Sequence, residues 1–267
     1  MKTIHEFINF TNLKGNRIKL TLMLIIPSLL YSLALSFFNT IVYISAFSNY
    51  YYFALYVFVL GTSFIYLILL FQFIHKKRDI EIPHSMKPYV LPYFFLQSVF
   101  FLIMIGSAWG SMALLQYASS LTSVMSVVCT LLAIFYIPVQ TFSFFYLFDG
   151  EKNPFVILWK ATKKVLKHYQ FCFYALLTLA LVAIFYNLIM DVFFGIGSNS
   201  VPMLIVHDIM ISSNPFAFAG TYVAFAFENI KMWGPVLVSV IYGVLMCSVL
   251  VYYYMGMLCA YDEDIKI

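Results

Sequence analysis

The sequence predicts an all-α fold: a polytopic transmembrane helical bundle of about six spans, with both termini in the cytoplasm. The first observation is composition. The 267 residues are 63% hydrophobic and 10% charged, whereas a soluble domain carries about 25% charged residues. The second is that apolar stretches longer than about 18 residues, the length typical of a transmembrane helix, recur along the chain. The third is that basic residues flank these stretches, as orientation signals do.

The apolar stretches form one predicted transmembrane domain over residues 1–267. The predicted spans are about 20–46, 51–74, 89–117, 122–148, 170–194 and 235–260. Amphipathic interfacial helices are predicted at about 3–14 and 155–169. Between the last two spans, 195–234 holds two apolar pieces, each too short to cross a hydrocarbon core of ~30 Å. This extracytoplasmic segment is predicted to be re-entrant or to lie on the surface, and an extra span over 201–227 is the alternative.

Charge predicts the orientation of the bundle. Of the 15 lysines and arginines, all except Lys231 lie before span one, after span two, after span four or at the end of the chain. The positive-inside rule places these stretches in the cytoplasm. We therefore expect a multi-pass protein of the cell membrane. The net charge of +4 acts as a topology signal, so nucleic acid is not an expected partner.

The most charged segment begins at Asp149 and leads into the second interfacial helix. Asn153 is a suitable N-cap, and Pro154 suits the first helical position. One predicted face is apolar and consists of Phe155, Leu158, Trp159, Val165, Leu166 and Tyr169. The opposite face carries Lys160, Lys163, Lys164 and Lys167. Such a helix is typical of a membrane interface, and the four lysines are predicted to bind anionic lipid headgroups at about 1 kcal/mol each. Simple topological anchoring is the alternative.

A polar vestibule near the outer end of span five is the second candidate site. An ionisable residue within a span is by itself a functional hypothesis, and Asp191 comes nearest to this, with Asn187 one turn before it. His207 and Asp208 follow in the extracytoplasmic segment, where they would help to receive a cation or substrate. The alternative is that Asp191 lies in the hydrated headgroup layer while the others solvate a loop. Two adjacent ligands do not make a metal site, so no metal is predicted.

The glutamines in or near the spans predict contacts between helices. Gln72, Gln97, Gln116 and Gln140 are polar in a strongly apolar setting. Hydrogen bonds between helices account for them more simply than a transport path does.

Motifs of catalysis are absent from the sequence. It contains no G-x-S-x-G, no H-E-x-x-H and no Walker A glycine loop. We therefore predict no catalytic residue, no cofactor and no enzymatic activity.

Two runs carry a resemblance to a known family: YLFDGE at 146–151 and ATKKVLKHY at 161–169. They resemble the bacterial polytopic membrane-domain superfamily found beside some glycerophosphodiester phosphodiesterases and as stand-alone six-span proteins. In that group a span ends, an amphipathic helix with a basic end follows, and the next span begins. The stretches 12–17 and 252–264 are similar in style. The resemblance implies a membrane location and carries over no catalytic residue, since no soluble phosphodiesterase domain is expected in this chain.

The function expected from the sequence is that of a non-enzymatic membrane protein acting through lipid or a protein partner. A transport-accessory, assembly or immunity role would fit. The expected partners are anionic membrane lipids, another membrane protein or an ATPase subunit. The alternative is the membrane permease subunit of an ABC-type exporter. That class is similar in its N-terminal interfacial helix and in the element after span five, but lacks the lysine-rich helix after span four.

Overall fold

The computed structural model describes residues 87–116, 120–195 and 233–262, together with positions 22, 26, 57, 61, 64, 65 and 68. Within these residues the regular structure is all helical, without strands, as the sequence predicts. Five helices in them have defined bounds: α1 (Lys87–Gln116), α2 (Ser120–Phe148), α3 (Pro154–Lys167), α4 (Tyr169–Phe194) and α5 (Trp233–Asp262). The predicted interfacial helix at 3–14 and nearly all of the segment 195–234 lie outside the described residues.

Length and apolar composition indicate which described helices could cross a membrane. Among the described residues, two helical stretches are long and apolar enough to cross a membrane, Tyr169–Phe194 and Trp233–Leu250. At 1.5 Å per residue, the 26 residues of α4 extend about 39 Å, more than the ~30 Å of a hydrocarbon core.

Helix α2 is the centre of the described bundle, because it packs against α1, α3 and α5. Its contact with α1 is rich in buried aromatic rings, and the Tyr93 and Phe144 ring centroids are 5.2 Å apart. Phe64, which precedes these helices in the chain, adds a ring 4.8 Å from Tyr93. The α1–α2 pair therefore forms an aromatic core to which earlier parts of the chain also contribute.

A tight turn separates α2 from α3. Gly150 adopts a φ of 100°, a conformation that side chains with a Cβ rarely reach, and its N–H donates to the Leu147 carbonyl over 3.1 Å. Asn153 then caps α3, because its Oδ1 accepts from the N–H groups of Phe155 at 3.1 Å and Val156 at 3.5 Å. The cap that the sequence predicts is thus confirmed, and α3 leaves the end of α2 at a defined position.

At each end of the α4–α5 pair, an aromatic ring of α4 packs directly against a glycine of α5. A Cβ at Gly256 would lie 2.6 Å from Cζ of Phe171, and a Cβ at Gly234 would lie 2.6 Å from Cε1 of Phe194. Between these ends, the hydroxyls of Tyr186 and Ser239 are 3.0 Å apart in the buried interface. Only residues without a Cβ admit the two rings at this distance, so the glycines set how closely α4 and α5 approach.

Candidate functional site at the amphipathic helix

Helix α3 has three distinct faces. The buried face consists of Ile157, Ala161, Lys164 and Val165. Large apolar side chains project from a second face, where Phe155, Trp159 and Leu166 are 71%, 63% and 59% exposed. Three exposed lysines, Lys160, Lys163 and Lys167, form a third face, hereafter the lysine row. At 3.6 residues per turn the lysine row borders the exposed apolar face, so the two together form one continuous amphipathic surface.

Lys164 does not belong to the lysine row, which corrects the predicted set of four. Its side chain is only 3% exposed. The ammonium Nζ donates to the Tyr261 carbonyl over 3.0 Å and lies 5.5 Å from the centroid of the Tyr261 ring. Position 164 shares a face with Ile157 and Ala161, and the packing of that face against the bundle carries the lysine inward. The ammonium there meets a carbonyl near the C-terminus of α5, where the helix dipole favours a cation.

The predicted apolar stripe is divided between the core and the surface. Val165 of that stripe is 1% exposed and belongs to the core. Phe155 does project outward, and its ring also makes an edge-on contact with Phe95 of α1 at 5.8 Å. The exposed part of the stripe is therefore narrower than the whole predicted stripe, and its first residue, Phe155, lies against α1.

Tyr261 connects three helices at this end of the bundle. Its hydroxyl donates to Oδ2 of Asp149, just after α2, over 2.5 Å, while its carbonyl accepts from Lys164 of α3. Its ring also contacts Tyr146 of α2, with centroids 4.9 Å apart. We call Asp149, Lys164 and Tyr261 the junction. Through it, the end of α5 holds α3 against α2. No sequence pattern singles out Tyr261, which stands among several other tyrosines in the closing stretch 252–264.

The first lysine of the row is engaged by a carboxylate. Nζ of Lys160 lies 2.7 Å from Oε2 of Glu151, and the two side chains are 47% and 28% exposed. The hydrogen bond from Lys160 lowers the pKa of Glu151, and a backbone hydrogen bond from Asn153 acts in the same direction. Glu151 thus stays ionised down to a lower pH than an isolated glutamate.

The second lysine of the row lies against an aromatic ring. Nζ of Lys163 is 4.9 Å from the centroid of Trp159, within the range of a cation–π contact. The ring of Trp159 thus lies on the exposed apolar face, and the ammonium of Lys163 lies beside it on the neighbouring lysine row. This combination suits the boundary between lipid headgroups and acyl chains, where tryptophan is enriched.

Of the four residues of the predicted polar vestibule, the structure describes the side chain of one, Asp191. Asp191 is exposed near the end of α4, and its carbonyl accepts from the N–H of Gly195 over 3.0 Å. The side chain of Asn187, and His207 and Asp208 entirely, lie outside the described residues. Among the side chains that the structure describes, no three histidines, cysteines or acidic residues lie close enough together to hold a metal ion. The vestibule stays a prediction.

Interhelical hydrogen bonding by the glutamines is confirmed for one pair. Nε2 of Gln140 in α2 donates to Oε1 of Gln97 in α1 over 2.9 Å, and both side chains are buried. Beside it, the hydroxyls of Thr141 and Tyr253 are 3.1 Å apart and connect α2 with α5. These groups therefore satisfy one another across helices in the apolar interior.

No family model, curated protein or solved structure matches this chain. The resemblance to the six-span bacterial membrane-domain superfamily stays a prediction.

Proposed function

We propose that this protein is a non-enzymatic, multi-pass membrane protein whose helix α3 binds anionic lipid headgroups at the cytoplasmic surface. The supporting observation is the arrangement of α3. One face is packed against the bundle, the second exposes Phe155, Trp159 and Leu166, and the third carries the lysine row. A helix with this division of faces lies in the plane of the interface, its apolar side in the acyl boundary and its lysines among the phosphates.

The junction makes this surface a fixed part of the bundle. Because Lys164 is bonded to the end of α5, α3 is held in place before any lipid arrives. Ordering a mobile helix upon binding would cost free energy, and a docked helix avoids most of that cost. With about 1 kcal/mol for each basic residue near an anionic surface, the three lysines supply about 3 kcal/mol, a factor of roughly 150 in affinity.

The proposed topology has six spans with both termini in the cytoplasm. The distribution of lysine and arginine supports it, as does the presence of two apolar helices of spanning length among the described residues. In a cysteine-free background, Lys163→Cys should react with a membrane-impermeant maleimide only after the cells are opened, and Lys231→Cys should react in intact cells. Labelling of position 163 from outside would refute this orientation.

Trp159 offers a direct test of lipid binding. Trp109 and Trp233 are replaced with phenylalanine, and the full chain in neutral detergent is titrated with brominated phosphatidylglycerol, which quenches a nearby indole. Changing the three lysines of the row to glutamine should raise the lipid concentration needed for half-maximal quenching by 30-fold or more, up to the factor of roughly 150 that three lysines supply. Brominated phosphatidylcholine, which carries no net charge, should distinguish the parent from the triple variant by less than about 2-fold, since the lysine term is then absent.

A matched variant separates the row from charge elsewhere on the same side. Lys87, exposed at the start of α1, is changed to glutamine and should weaken the phosphatidylglycerol titration by no more than about 5-fold, the effect of one charge near an anionic surface, against 30-fold or more for the triple variant. Equal titrations by the parent and the triple variant would exclude α3 as a headgroup-binding element. The ABC-exporter alternative, with its ATPase partner, stays a prediction from sequence.

A further inference from the structure

The lysine row is not uniform, because one of its members already has an anionic partner within the protein. Lys160 contacts Glu151 at 2.7 Å, whereas Lys163 lies over the Trp159 ring. Glu151 belongs to the turn between α2 and α3, and its own N–H donates to the Tyr146 carbonyl over 3.1 Å. Its Oε1 also accepts from the N–H of Asn153 at 3.5 Å. The carboxylate is thus held at the start of α3 by the same turn that caps the helix.

We propose that Glu151 is an internal competitor of the lipid headgroup: its carboxylate occupies the Lys160 ammonium until an anionic headgroup replaces it. This inference rests on the proposed lipid binding by α3 and concerns the regulation of that site. A phosphate that reached Lys160 would lie within a few ångströms of the carboxylate. Two anions that close repel each other, so the headgroup displaces Glu151 or binds less tightly because of it.

Competition of this kind makes the lysines of the row engage a headgroup in order. A headgroup first meets Lys163 beside Trp159, and its full engagement requires Lys160 to exchange one anion for another. The turn keeps Glu151 near the lysine after the exchange, so the contact re-forms as soon as the lipid leaves. Glu151 therefore lowers the affinity for lipid and keeps Lys160 ordered while the site is empty.

The variant Glu151→Gln removes the competing charge and keeps the size of the side chain. In the single-tryptophan background it should bind brominated phosphatidylglycerol about 5-fold more tightly than the parent, the factor expected from one charge near an anionic surface. The matched control is Asp191→Asn, which changes net charge equally at the far end of α4. It should change the affinity by less than about 1.5-fold, since charges beyond the Debye length are screened.

A double-mutant cycle with Lys160→Gln distinguishes competition from general electrostatics. If Glu151 acts by occupying Lys160, Glu151→Gln should gain less than about 2-fold when Lys160 is already glutamine. An equal gain in both backgrounds, or no gain in either, would overturn the proposal. A triple-lysine variant that binds like the parent would refute lipid binding by α3 itself. Weaker binding by the triple variant without any gain from Glu151→Gln would refute only the competitor.

Discussion

Replacing Lys164 with glutamine tests whether the buried lysine holds α3 in place. The change removes the 3.0 Å bond to the Tyr261 carbonyl and the contact with that ring, because the shorter amide side chain does not reach them. A hydrogen bond from a charged donor contributes about 1.5–3 kcal/mol, and a cation–π contact about 0.5–2 kcal/mol. Relief from burying an ammonium offsets part of this sum. We expect a net loss of about 2 kcal/mol in the free energy of unfolding.

The matched control is Lys160→Gln, the same substitution one turn earlier on the same helix. Lys160 is exposed, and exposed ion pairs contribute little to stability, so this variant should unfold almost like the parent. The free energies are measured by reversible unfolding in mixed micelles with increasing mole fractions of dodecyl sulfate. Lipid binding should show the reverse order, with Lys160→Gln the weaker of the two in the brominated phosphatidylglycerol titration. Equal losses of stability from the two variants would refute the structural role of Lys164.

Three further predictions concern the interior and the turn. Gln97→Leu removes the 2.9 Å bond from Gln140 and should destabilise the protein by about 1 kcal/mol, measured in mixed micelles. Gly256→Ala places a Cβ 2.6 Å from Cζ of Phe171 and should cost about 1–3 kcal/mol in the same assay, since the ring must move. Binding of phosphatidylglycerol, whose phosphodiester stays charged, should strengthen as the pH falls through the lowered pKa of Glu151, because protonation ends its contact with Lys160.

Each of these predictions has its own control. Gly61→Ala adds a Cβ that meets no atom of the described residues within 4 Å and should be neutral or slightly stabilising, so a loss equal to that at Gly256 would argue against a packing effect. If Gln97→Leu and Gln140→Leu cost the same together as the sum of each alone, the two side chains are not coupled. For the pH effect, the contact of ionised Glu151 with Lys160 is fully present above the ordinary pKa of a glutamate and is lost as the pH falls through the lowered pKa of Glu151 in the folded protein. A rise in binding that persists in Glu151→Gln would exclude Glu151 as its source.

Helix α3 combines features that its local sequence predicts with features that depend on distant parts of the chain. Asn153, Pro154 and the apolar repeat are local signals, and they predicted a helix over 155–169 where the structure has Pro154–Lys167. The exposure of Phe155 and Trp159 also follows from the predicted apolar stripe. These features depend on neighbouring residues alone, because capping and helical periodicity act within a few positions of the chain.

The assignment of individual lysines required the tertiary structure. Lys160 and Lys164 are one turn apart on the same predicted face, yet one is exposed beside Glu151 and the other is buried under Tyr261. The partner that decides this lies 97 residues further along the chain, and no periodicity within α3 reports it.

The sequence by itself determined the helical class, the distribution of basic residues and the start of α3. These follow from composition and local pattern, which require no knowledge of what packs where. Only the tertiary structure decided that α3 divides into three faces, that Lys164 joins the junction and that Glu151 occupies Lys160. The reason is geometric: a helix presents side chains in several directions, and the packing of Ile157 and Ala161 against the bundle decides which side chains of α3 face outward.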